Sequence, residues 1–296
     1  MKKENDKQVF VLSSELRKGI NSINTFANIY SSIISKKYDQ IIVDLCNMQY
    51  IHPHYAVLIA AIPYISQLNN VSSIIKVNTH NDKFKEFLNK TGIFSGANIL
   101  DQIITPKSRK MNKVPFIALE DENQGLKISE KIINSFPIEY SEAFKSELIS
   151  IIYEIISNSF THSESKYVFC CGCLDNKRDF HFSIFDFGIG IPAKVKSFKE
   201  DILSDKEALM WAWEKGNSTL NGRLDYPRGA GLDLLKEFTH TNNGDLFMVS
   251  GNSYCKITSK GDKYEKYEND FLGTFFSMTI KRDIIHTYSN FNNLEG

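Results

Sequence analysis

Glu154, Asn158 and His162, spaced four residues apart, place a carboxylate, a carboxamide and an imidazole in one short stretch of chain. In an α-helix that spacing turns each residue only about 40° from the last, so the three line one narrow flank and can face a single ligand. The carboxylate can serve as a general base, the carboxamide oxygen can ligate a hard cation such as Mg2+, and the imidazole adds a further polar group. A solvated helix face presents the same residue types, so the spacing alone leaves both readings open.

Two further stretches bear on the choice. The apolar run Phe180, Phe182, Ile184 and Phe185 ends in Asp186 and is followed by Phe187-Gly188-Ile189-Gly190-Ile191-Pro192. This predicts a strand that delivers one carboxylate to a tight loop. A buried carboxylate needs a donor, and the exocyclic amine of adenine is a suitable one. Gly188 and Gly190 would let backbone approach a flat base closely. Downstream, Arg228-Gly229-Ala230-Gly231-Leu232 precedes a stretch of helical character, and a Gly-rich loop opening a helix can cradle phosphates with its free amides.

Taken in order, Glu154-x-x-x-Asn158-x-x-x-His162, Asp186-x-Gly188-x-Gly190-Ile191-Pro192, Arg228-Gly229-Ala230-Gly231-Leu232 and Gly273-Thr274 resemble the N box and glycine boxes of the GHKL superfamily. This superfamily includes the ATPase domains of gyrase and of histidine kinases. The Glu-Asn-His form of the helix is most similar to the anti-sigma-factor serine kinases, and the resemblance covers roughly residues 116 to 282.

The resemblance implies ATP and Mg2+ as ligands. Glu154 would be the general base, Asn158 would hold Mg2+, Asp186 would read the adenine amine, and Thr274 would sit beside the base. Gly188 and Gly190 would shape the base pocket, while Gly229 and Gly231 would meet the phosphates. The same motifs bring His162, Ile191, Arg228, Ala230 and Leu232 to the nucleotide. Residues from about 197 to 228 would form a lid, with a helical turn at Ala208–Glu214 and a loop at Lys215–Thr219 that adds Ser218 and Thr219. Lids of this kind are mobile.

The elements that must position these groups are legible in part. Phe144, Leu148, Ile151, Ile152, Ile155, Ile156 and Phe160 recur at three- and four-residue intervals, one apolar stripe of a long helix with Ser141 as its N-cap. Phe116–Leu119 reads as an entry strand and Gly125–Phe136 as a helix closed by Pro137. Cys170, Cys171 and Cys173 lie on an alternating strand, which sends neighbours to opposite faces, so buried thiols are expected rather than a metal set. That strand should pair with the one from Phe180 through Asp175–Asp179. Asp245–Ser250 and Ser253–Thr258 are expected as hairpin strands, Lys260–Asp270 as a charged surface loop, and Gly273–Ile280 as the closing strand.

Residues 1–104 read as a separate domain: a strand at Gln40–Cys46, an apolar helix at about 56–68, a strand at Ser73–Asn78 and an amphipathic helix at Asp82–Lys90. That order resembles a STAS domain. It departs from the family at Ile51-His52-Pro53-His54, where a phosphorylatable serine often stands, so no serine phosphoswitch is expected here. The basic, proline-bounded stretch 105–115 is expected as a linker and residues 283–296 as a flexible tail. The expected fold class is thus α/β: a STAS-like α/β domain, then a GHKL (Bergerat-type) α/β sandwich with a mixed sheet covered by helices on one face.

Thirty-five basic and 35 acidic residues balance, which gives no electrostatic case for nucleic acid. There is no run of eighteen apolar residues and no signal-peptide core at the start, so a cytoplasmic protein off the membrane is expected. Five cysteines fit free thiols in a reducing compartment. Asp186-Phe187-Gly188 also spells a tripeptide of eukaryotic-type kinases, but the Gly-rich loop, strand lysine and His-Arg-Asp loop of those enzymes are missing, as is a P-loop. The resemblance therefore implies a regulatory ATP-binding protein that switches conformation through binding or slow hydrolysis and acts on a protein partner, with a homodimer left open. The alternative is a protein serine kinase acting on a STAS-type partner.

Overall fold

A computed structural model of the chain describes residues 6–77, 81–92, 114–217 and 231–289. The chain divides into two compact units, the first running to Ile117 with Cys171–Cys173, the second taking the rest from Ala118. Both mix helices with sheets. Most of the expected linker, residues 105–113, lies outside the described residues; its last two, Val114 and Pro115, already belong to a strand.

In the first unit, β1 (Lys7–Val11), β2 (Glu15–Leu16), α1 (Ile20–Ile34), β3 (Gln40–Asp44), β4 (Tyr50–Ile51), α2 (Ala56–Leu68), β5 (Ser72–Lys76) and α3 (Asp82–Thr91) follow in order. A parallel sheet runs β1-β3-β5, with Val9 opposite Ile42 and Ile42 opposite Ile74. Ile23, Phe26, Tyr30 and Ile33 make the buried face of α1, and the Tyr30 hydroxyl donates to the Leu58 carbonyl at 2.6 Å, tying α1 to α2. The four elements expected between residues 40 and 90 are present within a few residues. The strand β1 and the helix α1 are additions: α1 is rich in Asn and Ser, its N-cap Gly19 makes no side-chain cap, and its first turn carries no acid, so the usual start signals are missing.

The division at Ile117 falls within β6 (Val114–Leu119); along the chain there follow α4 (Gly125–Ile133), β7 (Glu139–Tyr140), α5 (Glu142–Ser163), β8 (Val168–Leu174), β9 (Phe180–Asp186), α6 (Ile191–Phe198), α7 (Asp205–Ala212), α8 (Gly231–Thr241), β10 (Asp245–Thr258), β11 (Gly261–Ile280) and β12 (Thr287–Tyr288), which, apart from Cys171–Cys173 of β8, belong to the second unit. Its main sheet has the order β10-β11-β9-β8-β6, with β11 antiparallel to both neighbours. The helix α8 packs on β10, and α5 packs on both α8 and β9. The rings of Phe144 on α5, Phe238 on α8 and Tyr288 on β12 meet at 5.5–6.0 Å and lock these elements together. Cys170, Cys171 and Cys173 are buried, as expected.

Four expectations are corrected. Asp245–Ser250 and Ser253–Thr258 are one strand rather than two: Gly251, at φ 56°, sits in a β-bulge and not a hairpin turn. The stretch 260–270, expected as a surface loop, is mostly the first half of the twenty-residue β11, paired with the far half of β10. Most of its charges are exposed while Asp262 pairs with Lys236 and His240 of α8 and Tyr267 is buried, a one-sided strand that the charge density obscures. In the lid region, α7 starts at Asp205 rather than Ala208, because Ser204 and Glu207 form a capping box, and the helix α6 precedes it. The tail is not flexible through Tyr288: β12 pairs in parallel with β7, and buried Tyr288 exchanges hydrogen bonds of 2.9 Å with Asn242 and Asp283. Among the described residues no helix is long and apolar enough to cross a membrane.

Candidate functional site

The long helix α5 starts where Ser141 Oγ accepts a hydrogen bond from the Phe144 amide at 3.2 Å. Phe144, Leu148, Ile151, Ile152 and Ile156 bury its core-facing stripe, while Ile155 and Phe160 stay half-buried at its margin. This fixes the rotation of the helix. Glu154 and Asn158 then fall side by side on the wall of a cavity of about 150 Å3, together with Ile155, Ser159 and Ser163.

The opposite wall comes from the sheet. Asp186 ends β9 directly across from Thr274 on β11, so the two distant motifs are neighbours by strand register alone. Both line the cavity. Beyond Asp186 the chain passes against the end of α5, where the Ile189 amide donates to the Ser163 carbonyl at 2.8 Å. A Cβ at Gly188 would lie 1.9 Å from that carbonyl oxygen, so only glycine fits. Gly190 has φ 79° and opens α6, whose Ile191 amide donates to Ser250 Oγ at 3.0 Å. The same hydroxyl donates to the Gly273 carbonyl at 2.8 Å and lies 3.1 Å from Thr274 Oγ1. Ser250 thus pins the glycine loop to the Gly273-Thr274 strand.

Asp186 is 3% exposed, and its Oδ1 is buried without a hydrogen-bond partner among the described residues. Burial dominates its electrostatics and pushes the carboxyl up to about 7, against the opposing pull of the Ser159 hydroxyl, the Gly188 and Thr274 amides and the Ser163 hydroxyl. A buried acceptor left in this state is costly in the free protein and well suited to a ligand donor.

Of the sequence-predicted site residues, Glu154, Asn158, Asp186, Gly190, Ile191, Leu232 and Thr274 meet around one cavity. Gly188 supports it from behind through its contact with Ser163. His162 lies in the last turn of α5, and its side chain is outside the described residues. Gly231 opens α8, while Ser218, Thr219, Arg228, Gly229 and Ala230 lie outside the described residues.

Sequence reasoning missed the groups from α6 and α7. Lys194 and Val195 line the cavity from α6, and Trp211, Ala212 and Asn217 line it from α7 and its exit. Asn217 is held in place, its Nδ2 donating to the Trp211 carbonyl at 2.9 Å and to Glu214 Oε2 at 3.0 Å. Trp213, two residues after Trp211, is 2% exposed. The helical turn expected at Ala208–Glu214 contained the signal for Trp211, but nothing in its periodicity told which tryptophan lines the cavity.

No protein-family model matches the chain, and no curated protein matches it either. The site is therefore read from its own chemistry. It offers one buried carboxyl group with one oxygen unpartnered among the described residues, a second carboxylate and a carboxamide one helical turn apart, and a largely apolar enclosure between them.

Proposed function

We propose that the second unit is a GHKL-type ATP-binding domain, that the first is STAS-like, and that the protein is a regulatory switch whose partner interactions follow the nucleotide state. The observation that carries this reading is the buried Asp186 Oδ1, unpartnered among the described residues, beside Thr274 and behind a loop that only glycine allows to pass. An exocyclic amine is the ligand donor that such an acceptor selects.

In this reading Asp186 accepts from the adenine amine, Thr274 and Ser250 hold that edge of the pocket, and Ile191, Val195 and Met248 enclose the ring plane. Asn158 on α5 is the residue that would hold Mg2+, which when bound would neutralise phosphate charge. The cavity fits that role through the hard oxygen donors of Asn158 and Glu154, one turn apart on its wall. Glu154 would accept the proton of an attacking hydroxyl or water. The α8 N-terminus at Gly231, with its free amides, would face the phosphates.

The fate of the γ-phosphate tests this function. ATP labelled at that position should release label slowly into water from the wild-type chain and not from Glu154→Gln. Label transferred to serine of a protein partner would turn the reading into that of a serine kinase using the same site; label in neither, with ATP bound, would remove the chemistry and leave a binding protein.

A further inference from the structure

The cavity has two acidic groups on its wall, Glu154 and Asp186, and one cation among the described residues, Lys194. Lys194 lies one turn into α6, where its amide donates to the Gly190 carbonyl at 3.3 Å, and so shares the cavity-facing side of that helix with Ile191 and Val195. Its ammonium has no ion-pair or hydrogen-bond partner among the described residues, and it is half-buried. The neighbouring Lys196 shows the contrast, being held to Asp205 Oδ1 at 2.5 Å. Asp205 in turn accepts from the Asn252 amide at 2.7 Å, which anchors the start of α7 to the bulge of β10. Lys196 is thus committed to structure, and Lys194 is not.

Resting on the nucleotide reading above, we propose that Lys194 is a binding residue for the anionic portion of the ligand, so that α6 supplies a charge contact from outside the sequence motifs. An ammonium facing a phosphate gives a charge-assisted contact, whereas one facing a neutral base gives little. The chemistry predicts a signature: the contribution of Lys194 grows with the negative charge of the ligand. A lysine that merely lies solvated at the rim would show no such gradient.

The test is calorimetric titration of ATP, ADP and adenosine into the full-length chain and into Lys194→Ala and Lys194→Arg. Alanine favours helix, so α6 should persist, and an unchanged melting temperature checks that it does. The expected result for Lys194→Ala is about tenfold weaker ATP binding, a smaller loss for ADP, adenosine within about twofold of wild type, and a shallower dependence of ATP affinity on salt. Lys194→Arg should recover most of the loss. Equal losses for all three ligands, or no loss for any, with wild-type binding intact, overturn this inference and leave the nucleotide reading standing. Absence of binding by the wild-type chain overturns the nucleotide reading and this inference with it.

Discussion

Ser250 Oγ and Thr274 Oγ1 lie 3.1 Å apart on neighbouring strands, and through that pair the bulged strand β10 holds both the Gly273 carbonyl and the Ile191 amide. A buried hydroxyl with three partners is a strut. Ser250→Ala should leave the Ile191 amide and the Gly273 carbonyl short of a partner, at a cost of about 1–3 kcal/mol. Denaturant unfolding should show a lower midpoint, and nucleotide affinity should fall with it. Ser250→Thr, which keeps the hydroxyl, should lose less.

Asp186 sets a trade between stability and binding. In the folded protein its carboxyl releases its proton only near 7, whereas an unfolded carboxyl does so near about 3.9. Between these values the native state binds the extra proton, so the contribution of Asp186 to stability falls as pH rises from about 4 to about 7 and stays low above. Asp186→Asn should therefore melt higher than wild type at pH 8, by an amount equivalent to a few kcal/mol at most, and the difference should shrink toward pH 5. The same variant should bind ATP more weakly, and the rise in affinity of the wild type between pH 6 and 8 should flatten in it. Melting curves across that range, with and without ATP, check both signs.

Gly188→Ala tests the close passage of the loop against α5. Its Cβ would meet backbone at Ser163, which cannot swing aside as a side chain can. The variant should either lose several kcal/mol of stability or shift the loop enough to abolish binding. A folded variant with wild-type ATP affinity would contradict the loop's assigned role.

Two tryptophans separate the wall of the cavity from the core. With Trp213→Phe, the remaining Trp211 on the cavity wall should change its fluorescence as ATP is added. With Trp211→Phe, the buried Trp213 should respond far less. A signal that follows Trp213 instead would place the ligand elsewhere.

How much of this was legible beforehand differs by element. The stripe of α5 and its Ser141 cap are local, so periodicity sufficed, and with the helix rotated correctly Glu154 and Asn158 followed. Asp186 and Thr274 were marked by their glycine neighbours, but their adjacency depends on the register of β9 and β11, which no local pattern encodes. Ser250 carries no signal at all, since a serine in a strand looks alike whether it faces water or holds three partners. The charges between Asp262 and Asp270 hid a strand because a long hairpin needs only one buried face. Lys194 is missed because the glycine stretch ending in Pro192 reads as a tight loop, although a proline in a first turn also suits a helix start, and α6 begins there.

Glu154→Gln separates binding from chemistry. The carboxamide keeps the size and polarity of the side chain and removes the group proposed as the base. Nucleotide affinity should stay within about threefold of wild type while turnover drops by about 100-fold or more. Equal turnover in the two proteins would remove Glu154 from the reaction.

The central claim is that an adenine nucleotide occupies the cavity between α5 and the end of β9, and calorimetric titration of Mg-ATP into the wild-type chain, Asp186→Ala and Asn158→Ala tests it most directly. The account predicts saturable one-to-one binding by the wild type, about ten- to a hundredfold weaker in Asp186→Ala, with the Mg2+ dependence lost in Asn158→Ala. No saturable binding by the wild type, or an unchanged affinity in Asp186→Ala, would contradict it.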